Sequence, residues 1–243
     1  MTPLRRQALA EFLGTALLLL AVVGSGAAAQ RLSADPGLQL LENALATAAA
    51  LVAIILAFGP VSGAQLNPAV TLATRAEGDI GWPEAGAYIA AQVAGGAVGT
   101  IVANMMFSLP AVELSTTARS SGALWLGEAV ATFGLVLLVL SLARSGRTAV
   151  APWAVGAYIG GAYFFTSSSS VANPAATVAR TLTDTFAGIA SGSAPAFVVA
   201  QLTGAAVALA AARAVYPHAE PGSGDRVLPH PAPPGVAGRG SRR

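Results

Sequence analysis

The sequence has no cysteine and no lysine, and its only two histidines, His218 and His230, fall close to the C-terminus. Without cysteine there are no disulfides, zinc ribbons, iron–sulfur clusters or thiol catalysis. Two C-terminal histidines leave nothing for a buried metal site or a His-based catalytic group, and no nucleophile–base pair stands out. Metal, cofactor and enzyme chemistry are therefore not expected. Charge is the other shortage. Charged residues make up 10% of the 243 positions, whereas a soluble domain carries about 25%. That scarcity excludes an ordinary soluble enzyme, a disordered chain, a coiled coil and a nucleic-acid binder of the usual basic type. All 13 basic residues are Arg, yet the net charge is only +2.

What the chain has instead is apolar length. Residues Asn43–Thr74 and Thr148–Ala179 are charge-free runs of 32, and Ala85–Val112 and Thr185–Ala212 are charge-free runs of 28. Two further apolar stretches, Ala8–Ala29 and Ser120–Ala143, each contain one acid, Glu11 and Glu128. About 20 apolar residues cross a bilayer as a helix. A 28-residue run therefore fits one span, and a 32-residue run fits a span plus a shorter apolar piece.

The order of the runs repeats: a one-acid span, a run of 32, a run of 28, then the same again. Glu11-x-x-x-Thr15 matches Glu128-x-x-x-Thr132, Asn67-Pro68-Ala69 matches Asn173-Pro174-Ala175, and Gln92-x-x-Gly95 matches Gln201-x-x-Gly204. Three spans per half place the second half upside down relative to the first, an inverted repeat. The expected fold is an all-α membrane protein with six transmembrane helices and two re-entrant half-helices. Residues 1–216 form its channel domain, in repeats of about 8–110 and 123–216, and 217–243 form a Pro- and Gly-rich disordered cytoplasmic tail.

Ten arginines against three favour both termini in the cytoplasm, and so an inner- or plasma-membrane protein. Arg5-Arg6, an apolar stretch and Ala27-Ala28-Ala29 also resemble a cleavable signal peptide. A retained first span is preferred, because the second half has its counterpart.

The chain has four Asn, and two of them begin Asn-Pro-Ala. Asn is a favoured helix N-cap and Pro suits the first helical position, where its missing N–H is not needed. Each box therefore starts a short helix, roughly Pro68–Arg75 and Pro174–Leu182. The polar turns before them, Gly59–Gln65 and Thr166–Ser170, are expected to line water or pack in protein, the only settings where irregular backbone survives at membrane depth.

The paired boxes, the paired Glu-x-x-x-Thr spans, the paired Gln and the stretch Ser62-Gly63-Ala64-x-x-Asn67-Pro68-Ala69-Val70-Thr71 resemble the aquaporin, or major intrinsic protein, family over residues 8 to 216. The resemblance implies a homotetramer in membrane lipid with one pore per subunit. It implies passive conduction of water and small uncharged solutes, with no cofactor and no nucleic-acid partner. Asn67 and Asn173 would meet at mid-membrane and donate to passing oxygens. Glu11 and Glu128 would support the re-entrant loops.

One departure stands out. Many water-selective members place Arg three residues after the second Asn, where this chain has Ala176. Carried over by spacing, the other selectivity-filter positions are Thr47, Gly161 and Ser170. All four are small and uncharged, which implies a wide opening. Arg180, one helical turn beyond Ala176, is the candidate outer-mouth charge, and pairing with Asp184 at i+4 is the competing expectation. Gln65 stands where the family often has His. The expected function is a channel for water, for glycerol-like polyols or for metalloid hydroxides such as arsenous acid. The alternatives are a water-selective pore, a proton-coupled transporter using Glu11 and Glu128, and a non-conducting scaffold, against which the polar turns speak.

Overall fold

The protein is seen here in a computed structural model that describes residues 1–217. The expected tail, Pro217–Arg243, lies outside the described residues except for Pro217 itself. Among the described residues eight α-helices follow in order: α1 (Pro3–Leu32), α2 (Pro36–Ser62), α3 (Pro68–Glu77), α4 (Trp82–Met106), α5 (Gly122–Arg144), α6 (Ala151–Phe165), α7 (Pro174–Ala179) and α8 (Ala194–Val215). No strand occurs among the described residues.

Five of these helices, α1, α2, α4, α5 and α8, are long and apolar enough to cross a membrane. Helix α6 has 15 residues and is lengthened at its start by a 3-10 turn at Thr148–Val150. It stops where Thr166 turns its hydroxyl back onto the Ala162 carbonyl (2.7 Å) and a run of Ser begins. Hydroxyl side chains of this kind offer the backbone an alternative to the helical ladder.

The two 32-residue runs each divide into a long helix and a short one, as their lengths require. In the first, α2 continues through Pro60 to Ser62, so the turn is shorter than the expected Gly59–Gln65 and begins at Gly63. Gly63 has φ 87°, a left-handed conformation that glycine adopts without steric cost.

The two halves pack alike. Helix α1 lies against α4, and α5 against α8. At Gly95 of α4 a Cβ would sit inside the van der Waals envelope of the Phe12 carbonyl oxygen, and at Gly204 of α8 it would do the same to Ala129. Only glycine lets the backbones approach this closely, the usual device of membrane helices. Helices α2 and α6 close the ring, with Gly156 against Ala48 and Val52.

The short helices lie inside this ring and start from a common point. Helix α3 ends beside the start of α4, while the 3-10 turn after α7 ends beside its finish, where Asn104 Nδ2 donates to the Leu182 carbonyl (3.0 Å). They therefore run outward in opposite directions. At the far end of α3, Glu77 pairs with Arg144 at the end of α5 and with Arg213 (3.0 Å) near the end of α8.

Candidate functional site: a pore between two half-helices

Both Asn-Pro-Ala boxes cap their helices. Asn67 Oδ1 accepts from the Ala69 amide (2.9 Å), and Asn173 Oδ1 accepts from the amides of Ala175 (3.0 Å) and Ala176 (3.2 Å). Pro68 and Pro174 occupy the first helical positions. The amide nitrogens cross between the halves: Asn67 Nδ2 donates to the Ala172 carbonyl (2.7 Å) and Asn173 Nδ2 to the Leu66 carbonyl (2.8 Å). Each NH₂ group has two hydrogens, so one N–H per Asn remains, and both residues line a common cavity.

The turns before the boxes are built alike. Ala64 and Leu66 in the first, and Ser170 and Ala172 in the second, have φ between 44° and 53°. Non-glycine residues held there cost about 1–3 kcal/mol each. Buried carboxylates hold them. Glu11 accepts from the amides of Gln65 (2.9 Å) and Leu66 (2.6 Å), from Ser62 Oγ (2.6 Å) and from Gln92 Nε2 (2.8 Å). Glu128 accepts from the amides of Val171 and Ala172 (2.9 Å each) and from Gln201 Nε2 (2.5 Å). Gln92 and Gln201 also donate to Thr71 and Thr177 of the half-helices.

This arrangement aims the backbone. In a trans peptide the N–H and the preceding C=O point in opposite directions. Amides turned towards Glu11 and Glu128 therefore send the carbonyls of Ala64, Gln65, Ser170 and Val171 the other way, towards the cavity that these residues line. Neither Glu11 nor Glu128 lines it, and both are fully buried.

The cavity encloses about 80 Å³. Its lining is apolar at Leu18, Val22, Leu51, Ile55, Leu135 and Val139 and polar at the two turns with their Asn. Two buried polar atoms of these turns, Gln65 Oε1 and Ser170 Oγ, have no hydrogen-bond partner among the described residues.

Of the four expected filter positions, Thr47, Ser170 and Ala176 line the cavity and Gly161 does not. Gly161 is exposed on the far side of α6. The pore-facing row of α6 is Ala151, Val155, Ile159 and Tyr163, an i, i+4 series. Gly161 lies two residues from both Ile159 and Tyr163, which turns it away from the pore. Spacing from the Asn boxes missed this, while the period of α6 itself would have found Tyr163.

The ring is consequently not composed only of small, uncharged groups. Tyr163 contributes a phenol, its hydroxyl 3.1 Å from Thr47 Oγ1. Arg180 reaches the same cavity, buried, with its Nε donating to the Ala187 carbonyl. The i+4 pairing of Arg180 with Asp184 does not form, because the chain leaves α7 through a 3-10 turn into extended backbone at Thr183. Asp184 instead accepts from the Thr116 amide (2.9 Å) and from the hydroxyls of Thr116 (3.0 Å) and Ser115 (3.3 Å). The Thr116 contacts hold its carboxyl below the ordinary Asp range.

A family model described as "Major intrinsic protein" matches residues 1–171. The chain belongs to this family. Aquaglyceroporin AqpS of Rhizobium meliloti is 49% identical over 218 residues, covering 90% of this chain and 93% of that protein. Aquaporin A of Dictyostelium discoideum is 34% identical, covering 68% of this chain and 63% of its own length. The solved structure of an aquaglyceroporin from Plasmodium falciparum superposes with a TM-score of 0.72 over 88% of this chain and 98% of that one, at 22% identity. At that identity the likeness establishes the fold. As a major intrinsic protein, the chain is an integral membrane protein and a passive channel for water and small solutes, and it is not an enzyme.

Proposed function

We propose that the pore passes small neutral hydroxylated solutes as well as water, with glycerol-like polyols and metalloid hydroxides such as arsenous acid as the solute class. The observation that carries this reading is the mixed lining of the cavity. Its apolar residues suit the carbon skeleton of a polyol, and its carbonyls, Asn N–H groups, Gln65 and Ser170 suit the hydroxyls. Ala176 and Ser170 keep the ring open on one side, and the selectivity filter is Thr47, Tyr163, Ser170 and Ala176, with Arg180 at its edge. The relative named an aquaglyceroporin supports the same class. A water-selective pore is the second reading, favoured by the Tyr163 phenol and the Arg180 guanidinium, which narrow the ring. Stopped-flow light scattering on proteoliposomes separates the two. Glycerol permeability well above that of protein-free vesicles is expected, and water permeability alone would establish the second reading.

The functional unit we infer is a homotetramer with one pore per subunit and both termini cytoplasmic. The uneven split of arginines between the two ends of the bundle supports that orientation. Arg5, Arg6, Arg75, Arg144, Arg147 and Arg213 lie at the end where α1 starts and α3 and α5 finish, and Arg31, Arg119 and Arg180 lie at the other end, the outer one in this reading. Glu11 and Glu128 act as supports for the turns and not as a proton relay, since all their contacts are with groups that hold the loops. In the same proteoliposomes, solute entry should follow the solute gradient and ignore an imposed pH gradient. Uphill accumulation driven by protons would restore the transporter reading.

A further inference from the structure

Arg180 has a neighbour that the pore does not use. Arg119 lies in the segment between α4 and α5, and the two guanidiniums are held by three consecutive carbonyls. Arg119 Nη2 donates to Phe186 O (3.3 Å), Arg180 Nε to Ala187 O, and Arg119 Nε to Gly188 O (3.0 Å). The segment that carries these carbonyls is itself fixed. The Phe186 amide donates to Gln30 Oε1 (2.8 Å), the Ile189 amide to Arg180 O (3.1 Å) and the Ala190 amide to Thr117 O (2.8 Å). Two cations are thus set side by side by rigid backbone.

Neither has a carboxylate partner among the described residues. Among the described residues the ion pairs are those of Glu77, at the other end of the bundle. Asp184 is occupied by Ser115 and Thr116, and Glu128 by its turn and Gln201. The charges repel one another: burial and the Arg180 charge push the Arg119 guanidinium down to about 10, which leaves it cationic at neutral pH. Each guanidinium offers five N–H donors. Among the described residues Arg180 spends only its Nε, and Arg119 leaves its Nη1 unused. Arg180 faces the cavity, while Arg119 is part-exposed, so the pair bridges the pore and its mouth.

We propose that Arg119 and Arg180 together form a binding site for one small free oxyanion, of the carboxylate, sulfonate or phosphate class, at the mouth of the pore. Paired guanidiniums with forked donors are matched to such oxygens. A lipid headgroup is not the ligand, because Arg180 is buried inside the helix ring, away from the lipid-facing surface. An anion seated there covers the solute path, so its occupancy slows conduction.

The flux readout rests on the proposed pore, and a direct binding measurement does not. Glycerol flux into proteoliposomes is measured at constant ionic strength while chloride is replaced stepwise by methanesulfonate. Wild-type flux should slow saturably, by threefold or more. Arg119→Gln should need at least tenfold more methanesulfonate, and Arg119→Lys, which keeps the charge but loses the fork, an intermediate amount. Where wild type conducts glycerol in chloride, equal flux in both salts, or Arg119→Gln as sensitive as wild type, overturns the site. Equilibrium dialysis of the detergent-purified wild type with labelled sulfate needs neither flux nor a folded variant. Saturable uptake of about one sulfate per subunit supports the site, and none refutes it. A protein that binds sulfate but passes no glycerol in chloride would refute the pore reading alone.

Discussion

Ala176 and Asn67 show how much one side chain decides in a narrow passage. Ala176 leaves open the place where many relatives put a guanidinium, and Arg180 enters the cavity from one turn further along. Ala176→Arg adds a long side chain beside Tyr163 and a second cation beside Arg180. Glycerol permeability should fall by an order of magnitude or more, and water permeability by much less, both read by stopped-flow light scattering. An equal fall in the two would mean that Ala176 does not set the opening. Asn67→Asp or Asn173→Asp tests the meeting point of the half-helices. Asp caps a helix as well as Asn does, but it loses the Asn donation to the Ala172 or Leu66 carbonyl, so a lower unfolding temperature is expected and the fold of each variant is checked first by size-exclusion chromatography. In the proposed pore the two positive helix ends would repel cations at this point, and a carboxylate would offset them. A cation conductance absent from wild type should appear in planar bilayers, and its absence in a folded variant would remove the boxes from the ion barrier.

At the scale of elements, the re-entrant turns depend on acids from distant helices. Five left-handed non-glycine residues, Ala64, Leu66, Ser169, Ser170 and Ala172, and four amides turned away from the pore are held by Glu11 and Glu128, which accept from those amides. Glu128→Ala leaves the Val171 and Ala172 amides buried without a partner, at about 1–3 kcal/mol each. Lower yield and a lower unfolding temperature in detergent are expected, with partial rescue by Glu128→Gln, whose carbonyl still accepts one bond. A Gln variant as stable as wild type, yet without flux under any gradient, would assign the acid a proton-transfer role instead. The same logic explains the buried Gln92 and Gln201, each of which ties its acid to a half-helix.

For the whole molecule, Glu77 is a link between repeats. It sits at the end of α3, in the first half, and binds Arg144 and Arg213 from the second. Its side chain and that of Arg144 are only 11% exposed, whereas Arg213 is 53% exposed. Glu77→Gln therefore leaves one largely buried cation without its partner, a loss of about 1–3 kcal/mol when discounted from the 3–5 of a fully buried pair. Differential scanning fluorimetry should show a lower transition with the pore still conducting. An unchanged transition would reduce Glu77 to a surface contact.

The sequence by itself determined the large-scale answer. Charge-free runs of 32 and 28 residues repeated in order required six spans and two short helices, because hydrocarbon thickness sets span length. The twin Asn-Pro-Ala boxes fixed where the half-helices start, since capping is a local property of a few residues. Glu11 and Glu128 were legible as lone acids at equivalent places in two halves, while the expectation that they support the turns came from the family resemblance. The tertiary structure decided the ring. Which residues of α6 face the pore depends on the rotation of that helix against α2 and α5, and counting from a distant Asn does not carry that rotation. It chose Tyr163 over Gly161. It also decided the fate of Arg180, because the chain leaves the helical path after α7 and breaks the i+4 relation with Asp184. The nearness of Arg119 to Arg180 was invisible in the sequence: 61 residues separate them, and only the carbonyls of Phe186, Ala187 and Gly188 bring the two charges together.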